Sequence, residues 1–180
     1  MCYYHVMKYR VLRKQNISAQ CIVCGQKNDL GLKTNFYECQ DTNGEHVLVA
    51  VFTPKEEHQS YPGRMHGGMT AAVLDEAIGR AISITRPELW GVTIDLCVKY
   101  RKPMPLGQVL YCVTKITKVG SRSFEGEGKI MDEHGNVLST AEGKYLILEP
   151  KKISPEGLTE ENWFYVEENL PDAIFIGTQG

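Results

Sequence analysis

Apolar residues recur along this chain in two rhythms. From Leu32 the spacing is that of strands: Leu32, Asn35–Tyr37 and Cys39 form a first candidate, Asp41-Thr42-Asn43-Gly44 a hairpin turn, and His46 to Phe52 (HVLVAVF) a second strand. Thr53 to Arg64 is a polar loop, longer than ordinary connections and therefore a candidate for function. Helical spacing then runs to Ile82, and the Pro87 region ends it. Four more strand candidates follow, Trp90–Arg101, Val109–Lys118, Ser123–Met131 and Asn136–Leu148, with Val119-Gly120-Ser121 and Asp132–Gly135 as tight turns. This order predicts an α+β architecture in which one antiparallel sheet, of about five to six strands, covers a single apolar helix.

The helix and its lead-in, Pro62 to Ile82, hold the chemistry. Placing successive residues 100° apart puts Met69, Val73, Glu76 and Arg80 near one ridge. Glu76 and Arg80 stand four apart in the favourable order, so Glu76 reads as a surface or rim charge. Asp75 falls about 100° away, among Ala71, Ile78, Gly79 and Ile82. A carboxylate there is costly to bury unless partners satisfy it, and aspartate is a poor helix former. It is either a structural group bonded to a neighbouring strand or a working base; the second reading is preferred. Gly67 and Gly68 open the helix, where free N–H groups and the helix dipole suit an anion or a developing oxyanion. Glycine there also lets a substrate approach the main chain closely.

The flanks change the picture less. Residues 1–20 have no clear period, and Met1 to Leu12 fits helix or strand equally. The tail contains Thr159-Glu160-Glu161-Asn162 before Trp163, Val166 and Leu170, which predicts a short capped helix. At 180 residues and 42% hydrophobic content the chain can bury one sizeable core, so one domain with extensions is expected. A formal net charge of -2 argues against a nucleic-acid binder. With no apolar run of about 20 residues and no signal-peptide pattern, a cytoplasmic protein without membrane association is expected. Six cysteines do not make a disulfide scaffold in a reducing compartment. Only Cys21 and Cys24 have ligand-like spacing, and no second pair completes a zinc site; Cys2, His5 or Cys39 could join them only by the fold. A structural turn is the expected role of that pair, with zinc and redox chemistry as lesser alternatives, and no metal is expected.

The segment HGGMTAAVLDEAIG (residues 66–79) resembles the HGG-x6-D signature of hotdog-fold acyl-CoA thioesterases of the phenylacetate-degradation (PaaI-like) type. His58-Gln59 with Pro62-Gly63 is similar to that group's HQG-x-PG lead-in, and GVTIDLCVKYRKPMPLG (residues 91–107) to its next strand. CIVCGQKNDLGLK resembles its N-terminal segment. The resemblance implies a hotdog thioesterase domain over 21–150, between an N-terminal extension (1–20) and a C-terminal extension (151–180). It also implies homodimers, or dimers of dimers, joined edge to edge with active sites at the interface.

Residue by residue, Asp75 matches the family's general base or nucleophile, and Gly67 the glycine whose N–H polarises the thioester carbonyl. Thr93 falls where the family often has Ser or Thr placing the attacking water, donated by the neighbouring subunit. Ser60 stands where many members carry Asn; His58 or Gln59 could substitute. His66 and Gly68 belong to the same substrate-binding turn, His66 more as a structural loop residue. Arg101, Lys102, Lys118 and Arg122, at strand ends or turns, are candidates for the coenzyme A phosphates. No cofactor is expected beyond coenzyme A as part of substrate and product. A non-catalytic acyl-CoA-binding module and, less favoured, a hotdog hydratase or dehydratase stand as alternatives.

Overall fold

A computed structural model describes residues 6–155, 157–166 and 169–177. Cys2 and His5 lie outside the described residues. Among these residues ten strands form: β1 (Met7–Lys14), β2 (Ile17–Ser18), β3 (Asn35–Gln40), β4 (His46–Phe52), β5 (Trp90–Tyr100), β6 (Leu110–Val119), β7 (Ser123–Met131), β8 (Val137–Leu148), β9 (Trp163–Phe164) and β10 (Ala173–Ile176). Eight make one antiparallel sheet in the order β10-β1-β3-β4-β6-β7-β8-β5, wrapped around the long helix α1 (Gly67–Ala81). This is the hotdog fold.

The sheet is wider than the five to six strands expected, because both flanks of the chain add to it. Residues 7–14, which sequence left open between helix and strand, pair with β3 on one side and with β10 on the other. The tail differs from expectation too. Asn162 Oδ1 accepts from Thr159 N–H, as a cap would, but the chain turns there and does not continue as a helix. Trp163 and Phe164 instead pair with Ser18 and Ile17. A helix of one turn, α2 (Pro150–Ile153), forms earlier, with proline at its start.

The run HVLVAVF of β4 shows why it lacks a polar face. Leu48, Ala50 and Phe52 point into the core around α1, while Val47 and Val49 point into a second core on the sheet's other side. That second layer holds Tyr9, Ile174 and Ile176 of β1 and β10 against Val113 and Met131 of β6 and β7. With both faces covered, alternation gives way to a continuous apolar strand.

Inside the curve, α1 buries Val73, Leu74, Ala77, Ile78 and Ala81. β7 admits the helix closely because it carries glycines. A Cβ on Gly126 would sit 2.7 Å from Ile78 Cγ2 and 2.9 Å from the Lys115 carbonyl oxygen. The Thr114 hydroxyl ties sheet to helix by donating to the Ala77 carbonyl at 3.0 Å. At the sheet's edge, β5 pairs only with β8 among the described residues and leaves Val92, Ile94 and Tyr100 exposed.

Gly126→Val is expected to lower stability by about 1–3 kcal/mol through overpacking against α1. Urea unfolding measures this; an unchanged midpoint would mean the helix does not rest on β7 this closely.

Candidate active site

Asp75 sits half-buried on α1, and its partners come from two strands. The Thr93 hydroxyl on β5 donates to Asp75 Oδ1 at 2.7 Å. The Tyr145 hydroxyl on β8 lies 2.9 Å from the Asp75 carbonyl oxygen and 3.2 Å from Oδ1. Burial first, then the Asp75 charge, push the Tyr145 phenol above its ordinary range, so it remains a protonated donor. Oδ2 has no protein hydrogen-bond donor among the described residues. Thr93 therefore contacts the aspartate of its own chain, whereas the family resemblance assigned it to the neighbouring subunit.

Asp75 opens onto a cavity of about 560 Å³. Thr93, Tyr145 and Gly79 lie beside it, Leu89, Trp90 and Trp163 supply apolar walls, and Arg80, Glu76 and Gln15 lie on the polar side. Arg80 is fixed there: its guanidinium bonds Glu76 at 2.8 Å and the Asn16 carbonyl at 2.9 Å. It also lies 4.5 Å from the Phe36 ring and 4.8 Å from that of Trp163. Glu76 and Arg80 are thus largely buried, not the surface pair that helical spacing suggested, because the turn at Cys21–Cys24 covers that ridge.

The helix start is built by the lead-in loop. His66 is the N-cap of α1, and its Nδ1 accepts from Gly68 N–H at 2.8 Å. Met69 and Thr70 donate to the His66 carbonyl. Gly67 N–H alone of this group has no acceptor among the described residues, while its carbonyl accepts from the Tyr100 hydroxyl at 3.0 Å. His58 is buried beneath the loop: its Nδ1 accepts from Lys55 N–H at 2.9 Å, so Nε2 carries the proton and faces the Leu30 carbonyl at 3.0 Å. Gln59 Oε1 accepts from Gly63 N–H, and Ser60 is exposed with its N–H donating to the Arg64 carbonyl.

The structure thus brings Thr93 to Asp75 but keeps Gly67 apart from it. The two are eight positions apart on one helix, about 12 Å along its axis. Arg101 and Lys102 follow Tyr100 at the Gly67 end of the helix, whereas Lys118 lies near Ile84 and Thr85 at the opposite end. These two, Lys118 and Arg122 are all exposed, and none lines the cavity at Asp75. Sequence reasoning missed Tyr145, which carries no motif and reaches Asp75 only through the pairing of β5 with β8.

Residues 62–139 match the thioesterase superfamily. The chain is 27% identical over 148 residues to acyl-coenzyme A thioesterase THEM4 of Bos taurus, covering 81% of this chain and 59% of that protein. Other curated relatives are matched over 42% to 63% of their length, so the chain spans less of them than their whole. Among solved structures it is similar to a thioesterase superfamily protein at TM-score 0.62 and 26% identity, covering 71% of this chain and 60% of that one. It is also similar to the BH2602 protein from Bacillus halodurans, solved with CoA, at TM-score 0.54 and 25% identity, covering 61% and 72%.

Tyr145→Phe is expected to cost about 0.5–1.5 kcal/mol, the worth of a hydroxyl hydrogen bond from strand to helix. Chemical denaturation reads it; no loss would show that Tyr145 does not hold Asp75.

Proposed function

We propose that the chain is an acyl-CoA thioesterase in which Asp75 is the general base or nucleophile. The observation that carries this is the carboxylate itself, held at Oδ1 by Thr93 and Tyr145 and facing a cavity of about 560 Å³. Two hydroxyl donors fix the rotamer and leave Oδ2 to take a proton from water, or to attack the acyl carbon. The names of the thioesterase relatives and the CoA in the Bacillus halodurans structure support the substrate class.

Gly67 N–H is the oxyanion donor, but not for the Asp75 of its own chain. A thioester carbonyl and its attacking water need donor and base within a few ångströms, not about 12 Å apart. A second copy supplies the missing half. Antiparallel pairing of two β5 edges about an axis between Leu96 and Cys97 sets Thr93 opposite Tyr100 of the other copy. Since Thr93 contacts Asp75 and Tyr100 contacts Gly67, the same pairing brings Asp75 to the second copy's Gly67. The exposed apolar residues of β5 favour such a homodimer, alone or as half of a tetramer.

Arg101 and Lys102, at the Gly67 end, are placed to meet the coenzyme A phosphates, with Lys118 and Arg122 as further contacts from other strand ends. His66 and Gly68 shape the turn that presents Gly67, and His58, Gln59 and Ser60 form the loop beside it. A thioester is activated enough for a carboxylate and N–H donors to suffice, so the scheme calls on no metal, and coenzyme A enters only with the substrate.

Gly67→Pro removes the N–H while suiting the first helical position, because His66 before it is already extended. Thiol release from short, medium, long and aromatic acyl-CoAs is expected to fall at least ~100-fold in Gly67→Pro and in Asp75→Asn. Full activity of Asp75→Asn on the best substrate would remove Asp75 from the mechanism.

A further inference from the structure

Behind the cavity, the Cys21–Cys24 turn packs on Glu76 and Arg80, and the hydrolase scheme uses none of these four. Cys21 Sγ, Cys24 Sγ and a Glu76 carboxylate oxygen all lie within 4.8 Å of one another. Backbone N–H groups of Val23 and Cys24 point at Cys21 Sγ, at 3.3 Å and 3.5 Å. Ser18 N–H and the Arg80 guanidinium point at Cys24 Sγ, each at 3.4 Å. Cys21 donates to Glu76 Oε2 at 3.0 Å. The turn is closed by Gly25 N–H on the Cys21 carbonyl at 2.8 Å, and a Cβ on Gly25 would lie 2.5 Å from that oxygen. So tight a turn holds the two Cα atoms within roughly 7 Å, the span a disulfide can bridge.

We propose that Cys21 and Cys24 are a thiol–disulfide couple that exchanges with small-molecule disulfides, and that Glu76 and Arg80 carry its state to the cavity beside Asp75. Cys21, half-exposed, reacts first, and Cys24, buried, resolves. Cys21 gives its proton to Glu76 and attacks one sulfur of the small disulfide, releasing a thiolate that takes up a proton. Cys24 then attacks Cys21 Sγ and expels the second sulfur, which takes up the proton Cys24 gives up and leaves as a thiol. Two electrons pass from the cysteine sulfurs to the disulfide, which leaves as two thiols.

The asymmetry of the pair fits these roles. Hydrogen bonding with Cys24 holds the Cys21 thiol below its ordinary range, although burial and the Glu76 charge oppose it. The same bond with Cys21, and then burial, push Cys24 up. Couples of this spacing have potentials that overlap the glutathione poise of cells, as a reversible couple requires. The three ligand atoms alone would also suit a thiophilic metal, but Arg80 already brings a fixed positive charge onto both Cys24 and Glu76. Oxidation removes the S–H donor of Glu76 and weakens the sulfur acceptor of Arg80. Both residues line the cavity, and Arg80 stacks on Trp163.

The test uses the full chain in glutathione buffers of graded ratio, trapped with iodoacetamide and mapped by peptide mass spectrometry. The expected result is a Cys21–Cys24 disulfide that forms across the series and reverses fully. In the reduced protein, Cys21 should alkylate at least ~10-fold faster than free glutathione at neutral pH. Tryptophan emission should shift in step with the disulfide, and should stay constant in Cys21→Ser, which lacks the attacking thiol. Alkylation of both cysteines at every ratio would overturn the couple, as would a tightly held zinc ion per chain that blocks the disulfide. Constant tryptophan emission during oxidation would overturn the link to the cavity.

Discussion

A helix rises about 1.5 Å per residue and cannot be compressed, so the eight positions from Gly67 to Asp75 fix the two about 12 Å apart along α1. This distance governs how the site can be built. On the proposed mechanism, one chain then holds two half-sites, a helix start with an uncommitted N–H and a carboxylate two turns along. The edge strand β5 carries both Thr93, bonded to Asp75, and Tyr100, bonded to Gly67, and so would join the two halves in the proposed dimer.

The rest of the fold keeps that helix in place. Gly126 and Gly128 let β7 approach it closely, Thr114 bonds its backbone, and Tyr145 crosses from β8 to Asp75. Packing of this kind leaves little freedom, so the carboxylate is positioned by the core as much as by its hydrogen bonds. On the opposite ridge, Arg80 plays a similar part between Phe36 and Trp163, with Glu76 and the two cysteines around it.

Most of the central fold was legible in the chain. The strand candidates from Asn35 to Leu148 and the helix after Gly67 fall within a residue or two of the observed elements, because their periods are strong and their turns carry Asn-Gly, Gly or Pro. The flanks were not legible. β1, β9 and β10 exist only through partners far away in sequence: Met7 pairs with Ile176, and Ile17 with Phe164. A two-residue strand has no period to read. Asp75 could be singled out because an acid on an apolar helix face is conspicuous, whereas Tyr145 looks like any aromatic in a strand. Glu76 and Arg80 read as a surface pair because spacing alone does not show that the Cys21–Cys24 turn lies over them.

The division of the site between two copies can be tested by mixing two defective chains. Asp75→Asn and Gly67→Pro copies, each nearly inactive alone, are unfolded together, refolded and assayed for thiol release from the best acyl-CoA substrate. Random pairing leaves one intact site in each mixed dimer, and activity should return to about a quarter of the unaltered protein's. If the refolded mixture is no more active than the two variants measured separately, Gly67 and Asp75 do not meet across a dimer.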